Sequence, residues 1–364
     1  MDQQALDFLE QLMNLPSPSG FEQPAAKLWR EYVNKITIMD PPLYLNVPVY
    51  GDTYGNSIAN LEYQFPRGGG RTIMLCGHID EVGFMVSHIT EHGYVYLTAI
   101  GGVDPAIVAA QRVVIHGRNG PICGVFGKTA IHLLDKESKE TPKLHQMFVD
   151  IGAKDKEDAL KVVSVGDPAV FDVGFKKMPN NRAIGRGFDD RVGAWCVAET
   201  LRSLACSRTL KNRVVGAATV QEENGMFGAE MSAFSVKPNI AIAIDVTHAT
   251  DSPGISKERC GDVKLGSGPS IGIGSVANPK MNALLIEVAE KNNIPLQREA
   301  RPRRSGTDAD AVFKMLGGIP TAVVSIPNRY MHTPVEMVCL DDLDNVVSLL
   351  TGFCEAVDGH DFVV

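Results

Sequence analysis

Two adjacent carboxylates, Glu222 and Glu223, stand at the end of the apolar run 214–220, Val-Val-Gly-Ala-Ala-Thr-Val. That run reads as a buried strand, and a small-residue helical stretch follows it. Like charges at a strand end repel, and burial makes each harder to ionise. The pair has a use if one Glu sits beside a bound cation and the other is free to move a proton. Taken alone, it also suits a solvated loop, because glutamates are mostly exposed.

The arrangement recurs along the chain. His78-Ile79-Asp80-Glu81 follows the apolar run 72–76. Asp245 closes 240–244, and His332 comes a short loop after 321–326. Asp189-Asp190-Arg191 opens a predicted helix. In an open α/β sheet, ligands bind at the carboxyl ends of the strands. Histidine with carboxylates suits zinc and neighbouring divalent ions. The stretches therefore predict one metal site assembled from the whole chain.

Each member also has a plainer reading. His78 and Asp80 are two apart, so in an extended segment they point the same way. One can bind metal while the other orients it; equally, His78 can be a hydrogen-bonded core residue. Asp189 is a metal-bridging carboxylate or a helix cap. Asp190 and Arg191 suit capping and an ion pair. Asp245 ends an otherwise apolar strand, where a buried carboxylate needs a partner. His332 is a ligand or a loop histidine. The stretch 305–310 reads first as an N-capped helix start and second as pocket lining.

The formal charge of −8, with no Lys/Arg-rich tract, argues against non-specific binding to nucleic acid or anionic membranes. No run approaches the ~18 apolar residues of a membrane span, and the first residues lack a signal peptide's basic and apolar regions. A soluble, cytoplasmic protein is expected. Seven cysteines, odd in number and without a C-x-x-C pair, predict buried free thiols in a reducing compartment.

Apolar periodicity predicts helices over 2–15 and in the twenties to thirties, with Pro24 in the first turn of the second. Strands follow near 57–61 and 71–76. Residues 82–171 change texture: short strands at 95–97, 113–115 and 122–125 alternate with Gly turns, and one helix lies near 156–163. The charge run 136–140 reads as an exposed loop. From 189 onward, helices at 190–205, 225–235, 279–291, 308–317 and 341–357 alternate with strands at 213–220, 240–245 and 321–326. The fold class is α/β, a mostly parallel sheet flanked by helices. Residues 1–81 and 172–364 form its catalytic domain, and 82–171 a small inserted β domain.

Three motifs mislead. His88-Ile89-Thr90-Glu91-His92 has an inverted zinc-peptidase spacing, which works only on a helix, whereas Gly93-Tyr94-Val95-Tyr96 makes it a hairpin. The runs 124–129 and 272–277 resemble nucleotide loops, but lack the spacing or the βαβ context and are read as turns.

The set of motifs resembles the tetrahedral (TET), cellulase-M-like and glutamyl-aminopeptidase-like enzymes of metallopeptidase family forty-two. The pieces are Ser17-Pro18-Ser19-Gly20-Phe21-Glu22, Gly55-Asn56, 78–83, 189–191, Glu222-Glu223, 245–247, 306–309 and 330–336, in order across nearly the whole chain. The resemblance implies a phosphodiesterase/aminopeptidase-like mixed sheet flanked by helices, with an inserted small β-barrel-like domain that mediates dimerisation. It implies two divalent ions, zinc or cobalt and alternatively manganese. His78 and Asp245 would each hold one ion, Glu223 and His332 the other, and Asp189 would bridge them. Asp80 would steady His78, and Glu222 would be general base toward a metal-bridging water. Short peptides would be the substrates and a dodecamer built from dimers the assembly. The chain departs from its relatives at Gly185-Arg186-Gly187-Phe188, where Lys-Ala and an apolar residue are more usual. Alternatives are a related dimetal amidohydrolase or deacylase, or a carbohydrate hydrolase, since some relatives carry an endoglucanase label. The last needs two opposed carboxylates and no metal.

Overall fold

Strand residues two apart share a face, and in the middle of this sheet the two faces differ in bulk. Ile73, Leu75, Ile242, Ile244, Val324 and Ile326 point into one apolar cluster. Their neighbours Met74, Cys76, Ala241, Ala243 and Val323 point into another. Such strands are apolar on both sides because helices cover both. The computed structural model describes residues 1–36, 48–61, 70–133 and 142–364. The charge run 136–140 lies outside the described residues.

Four strands run parallel at the centre: Arg213–Thr219, Thr72–His78, Ile240–His248 and Thr321–Asn328. Outside them the sheet is mixed. Ser57–Leu61 pairs antiparallel with Arg213–Thr219, and Val49–Gly51 antiparallel with Ser57–Leu61. On the other edge, Ser270–Gly274 runs antiparallel to Thr321–Asn328 and parallel to Gln297–Arg301. Among the described residues the sheet has eight strands. The apolar-run criterion catches its centre and misses the edges: Gln297–Arg301 holds no continuous apolar run and is alternately exposed. The runs 124–129 and 272–277, read as turns, begin as strand ends: Gly124 lies in Gly120–Phe126, and Gly272 and Gly274 lie in Ser270–Gly274, with non-strand residues following each.

The large-residue face carries the helices Gln3–Asn14, Gln23–Asn34, Phe188–Ala205, Pro279–Lys291 and Leu340–Ala356. Phe227–Val236 and the short Ala309–Val312 cover the small-residue face. The predicted helix 308–317 thus ends early, giving way to a 3₁₀ turn at Met315–Gly317. Phe188–Ala205 lies very close to the central strand. A Cβ on Gly77 would come within 2.6 Å of the Gly193 carbonyl carbon. Glycine at both places lets the helix start directly over the strand end.

Among the described residues, six strands between residues 83 and 171 close into a barrel. Its separate core includes Phe84, Val95, Leu97, Val113, Ile115, Phe126 and Val149. Phe84 packs against Phe126 and Phe171, with ring centroids 5.2 Å away in each case. The stretch 88–92 is the tip of the antiparallel hairpin formed by Gly83–Ile89 and Val95–Ile100, and both its histidines are exposed. All seven cysteines are free thiols; Cys76, Cys196, Cys339 and Cys354 are buried, while Cys123, Cys206 and Cys260 are exposed.

Arg186 finds its role in a buried charge network. The Glu81 carboxylate accepts from the Ser17 N–H at 2.9 Å, from Arg191 Nη2 at 3.2 Å and from Arg186 Nη1. Burial raises the Glu81 pKa, but the two guanidinium groups outweigh it and hold the carboxyl below its usual range. The network ties the N-terminal turn, the loop after Thr72–His78 and the start of Phe188–Ala205. Removing the central anion leaves two buried cations unpaired. Glu81→Ala should therefore cost about 3–5 kcal/mol of unfolding free energy, read from denaturant melts of the metal-free protein. A loss near zero would show that water replaces the carboxylate.

Candidate metal centre

Parallel strands end together, so whatever follows them meets at one edge. Thr72–His78 ends on His78, which is in register with Thr219 of Arg213–Thr219. The next turn carries Glu222 and Glu223. Asp245 lies within Ile240–His248, and the helix Phe188–Ala205 delivers Asp189 and Asp190 at its start. The loop between Thr321–Asn328 and Glu336–Cys339 carries His332. Four non-glycine residues in these loops have left-handed backbone: Gln221 (φ 58°), Met226 (φ 61°), Tyr330 (φ 62°) and His332 (φ 61°). Such residues are uncommon and gather at functional sites.

Asp189 stands between the two imidazoles. Its Oδ1 is 3.1 Å from His78 Nε2 and its Oδ2 is 3.1 Å from His332 Nε2. Around His332, Glu223 Oε1 is 3.5 Å from Nε2. Around His78, Glu222 Oε2 and Asp245 Oδ1 lie 3.8 and 3.9 Å from Nε2. These six residues line a cavity of about 240 Å³, together with Val246, Thr247, His248, Arg301, Met331 and the 305–307 loop. The loop read first as a helix start thus also faces the pocket.

Asp80 lies behind the cavity, fully buried. Its Oδ1 is 3.3 Å from His78 Nδ1 and accepts the Glu222 N–H at 3.0 Å. Its Oδ2 accepts the Glu223 N–H at 3.2 Å and the Ser19 hydroxyl at 2.6 Å. One carboxylate thereby faces the His78 ring and fastens the Glu222-Glu223 turn.

Sequence reasoning left two participants out of the site. Glu336, buried, accepts the Asp189 N–H at 3.0 Å and the His332 N–H at 2.9 Å. It locks together two residues that lie far apart in the chain. Its signal is an acidic residue four places after His332, opening the short strand Glu336–Cys339. Asp190 was assigned to capping. One of its oxygens does accept the Gly193 N–H at 3.1 Å, but the other is buried without a partner among the described residues, and Asp190 falls in one cluster with His78 and Asp245. Arg191 takes the ion-pair role, to Glu81.

The donor set fits divalent cations. His78, Asp189 and Glu223 present ligand atoms within 4.8 Å of one another, and so do His78, Asp190 and Asp245. Glu223 Oε1 is buried and makes no hydrogen bond, its 3.5 Å approach to His332 being an ion-pair distance only. The carboxylates outnumber the imidazoles, and the electrostatics report that excess. Burial, with the charges of Asp245, Asp308 and Glu223, pushes Glu222 up to about 10. Burial likewise raises Asp190, Asp245 and Glu223. Burial opposes charge on His332, but the carboxylates of Asp189 and Glu223 beside it outweigh that and push the ring up to about 11. The same opposition at His78 ends well above its usual value through Asp189 and Asp80. Asp189 is held well below the carboxylate range because the two imidazoles overcome its burial. Without ions, burial and mutual repulsion favour protons on several of these carboxyls, and cations would displace them.

Among the described residues no helix is long and apolar enough to cross a membrane. The family model described as M42 glutamyl aminopeptidase matches residues 55–349. A putative aminopeptidase of Acetivibrio thermocellus is 37% identical over 302 residues, covering 82% of this chain and 86% of the relative. The structure of an aminopeptidase from the archaeon Desulfurococcus kamchatkensis superposes with a TM-score of 0.87 at 35% identity, over 97% of this chain and 94% of that one. The TET1 peptidase of Pyrococcus horikoshii, described as assembling into a tetrahedron or a large octahedral shell, gives a TM-score of 0.83 at 28% identity, over 96% and 99% of the two chains. The chain belongs to the M42 glutamyl aminopeptidase family, and its activity is that of a peptidase acting on N-terminal residues.

Proposed function

We propose that this protein removes N-terminal residues from short peptides at a centre of two divalent ions. The observation that carries the reading is the placement of Asp189, with one carboxylate oxygen 3.1 Å from each of two imidazoles. A bridging carboxylate with a histidine on either side is what a two-ion site requires. His78 and Asp245 would hold one ion, and Glu223 and His332 the other, with Asp189 shared. When bound, zinc, cobalt or manganese would polarise the scissile carbonyl and make water more acidic.

The rest is done by this chain's own groups. Asp80 orients the His78 ring through Nδ1, as ligating histidines generally need. Glu222 belongs to neither ligand cluster, yet its carboxylate lines the same cavity. It is the group free to take the proton from the attacking water and return it to the leaving amine, as base and then acid. Burial strengthens these interactions by excluding water around them. The barrel would mediate dimerisation, and dimers would build a closed homo-oligomer, a dodecamer in the tetrahedral arrangement.

The test strips the protein with a chelator and restores zinc, cobalt or manganese in turn. Aminoacyl chromogenic amides, with the amine free or acetylated, are then offered. Activity should return with metal and only on free-amine substrates, and the best side chain would define the preference. Cleavage of the acetylated set, or none with metal bound, would overturn the reading in favour of a deacylase or a non-enzyme.

A further inference from the structure

A second cavity, of about 570 Å³, is lined by residues that follow or precede those of the metal cavity in the chain. Gly225 and Met226 line it, immediately after the Glu222-Glu223 turn; their N–H groups donate to the Glu222 carbonyl at 2.8 and 3.0 Å. Arg303 and Arg304 line it as well, immediately before Ser305 and Gly306, which line the metal cavity. Buried Asp310 fixes this junction by accepting from the Ser305 N–H and hydroxyl at 2.8 Å and from the Gly306 N–H at 3.0 Å.

The charge in this cavity is one-sided. Arg303, Arg304 and Lys314 are exposed. Among the described residues none of the three has an ion-pair partner, and the one carboxylate there, Asp310, is occupied by its own loop. In an otherwise acidic protein, three unpaired cations around one concavity mark a place for an anion. The alternative neighbouring cavity, about 530 Å³ beside Gln221, is lined by Phe227, Met231 and Phe234, with Glu230 as its charged member, and suits no carboxylate.

Resting on the aminopeptidase reading above, we propose that the Arg303-Arg304-Lys314 cavity binds a carboxylate on the leaving part of the peptide. The two cavities are lined by chain neighbours, Glu223 and Gly225 on one segment and Ser305 and Arg304 on the other. The metal cavity is small, so residues beyond the first need a second space. A short peptide would then present its C-terminal carboxylate to the two guanidinium groups.

The test compares kcat/KM of zinc-loaded enzyme on tetra-alanine, on tetra-alanine amide, on the amide with a glutamate at the third or fourth position, and on alanine p-nitroanilide. The acid should be favoured over the amide by about 10-fold, the scale of two partly exposed charge contacts, and less so at high salt. The double variant Arg303→Ala/Arg304→Ala should abolish that preference, and Arg303→Lys/Arg304→Lys should restore much of it. A gain for the glutamate-bearing amides but not for the free acid would keep the subsite and identify a side-chain carboxylate as its ligand. Equal rates on all peptides, or a preference that survives the alanine variant, would overturn the subsite while cleavage of the anilide leaves the aminopeptidase reading intact. Failure to cleave the anilide as well would sink both.

Discussion

Glu222→Gln should lower kcat by about 10²–10⁴-fold, the contribution of a positioned general base, while the protein keeps two ions and an unchanged KM. Glutamine preserves the side chain's size and the backbone N–H bond to Asp80, but cannot accept the water's proton. Glu222 stands outside both clusters of ligand atoms, whereas Glu223 is inside one of them and has a buried oxygen with no hydrogen bond. The adjacent variant is the control. Glu223→Gln should lose metal, seen as a drop in ion content by elemental analysis. If instead Glu222→Gln loses metal and Glu223→Gln keeps it, the two glutamates have exchanged roles. If Glu222→Gln keeps both ions and most of its turnover, another group moves the proton.

What made the site readable in sequence was where its residues sit relative to apolar runs. His78, Glu222, Glu223 and Asp245 each lie at or just beyond a buried strand, and parallel neighbours bring such ends to one edge. Glu336 carries only a weak local mark, four places after His332, because its function is to accept one backbone N–H from its own loop and one from Asp189, far away in sequence. Asp190 was hidden for a different reason. A carboxylate at a helix start is already explained by capping, and only the three-dimensional packing brings Asp190 into one cluster with His78 and Asp245. The cavity behind Arg303 and Arg304 is likewise invisible, since paired arginines before a helix read as surface.

The fold divides along the same physical line. The centre of the sheet is buried on both faces and announces itself as unbroken apolar residues. Its edge strands Val49–Gly51 and Gln297–Arg301 are partly exposed, so their residues carry no such run. The parallel bias of the prediction came from the centre alone; the antiparallel edges at Ser57–Leu61 and Ser270–Gly274 are set by pairing that single-strand periodicity does not encode.

Asp189→Asn should abolish the two-ion site, weakening metal binding by about 100-fold or more. Even outer residues that only orient ligands typically cost 10–100-fold, and Asp189 is the residue both halves share. Its two oxygens approach His78 and His332 equally, at 3.1 Å. An amide offers one weak oxygen donor and an N–H₂ group that repels a cation, so neither half keeps a full ligand set. The substitution also removes the anion that raises both imidazole pKa values. The rings then deprotonate more readily, which by itself favours metal. The prediction is that loss of the shared ligand exceeds this gain, because a neutral ring without a bridging anion leaves each ion with fewer donors. Ion content after dialysis against trace zinc, with circular dichroism to confirm an intact fold, decides the matter. Two ions retained at wild-type affinity would mean that Asp190, clustered with His78 and Asp245, serves as the bridge in place of Asp189.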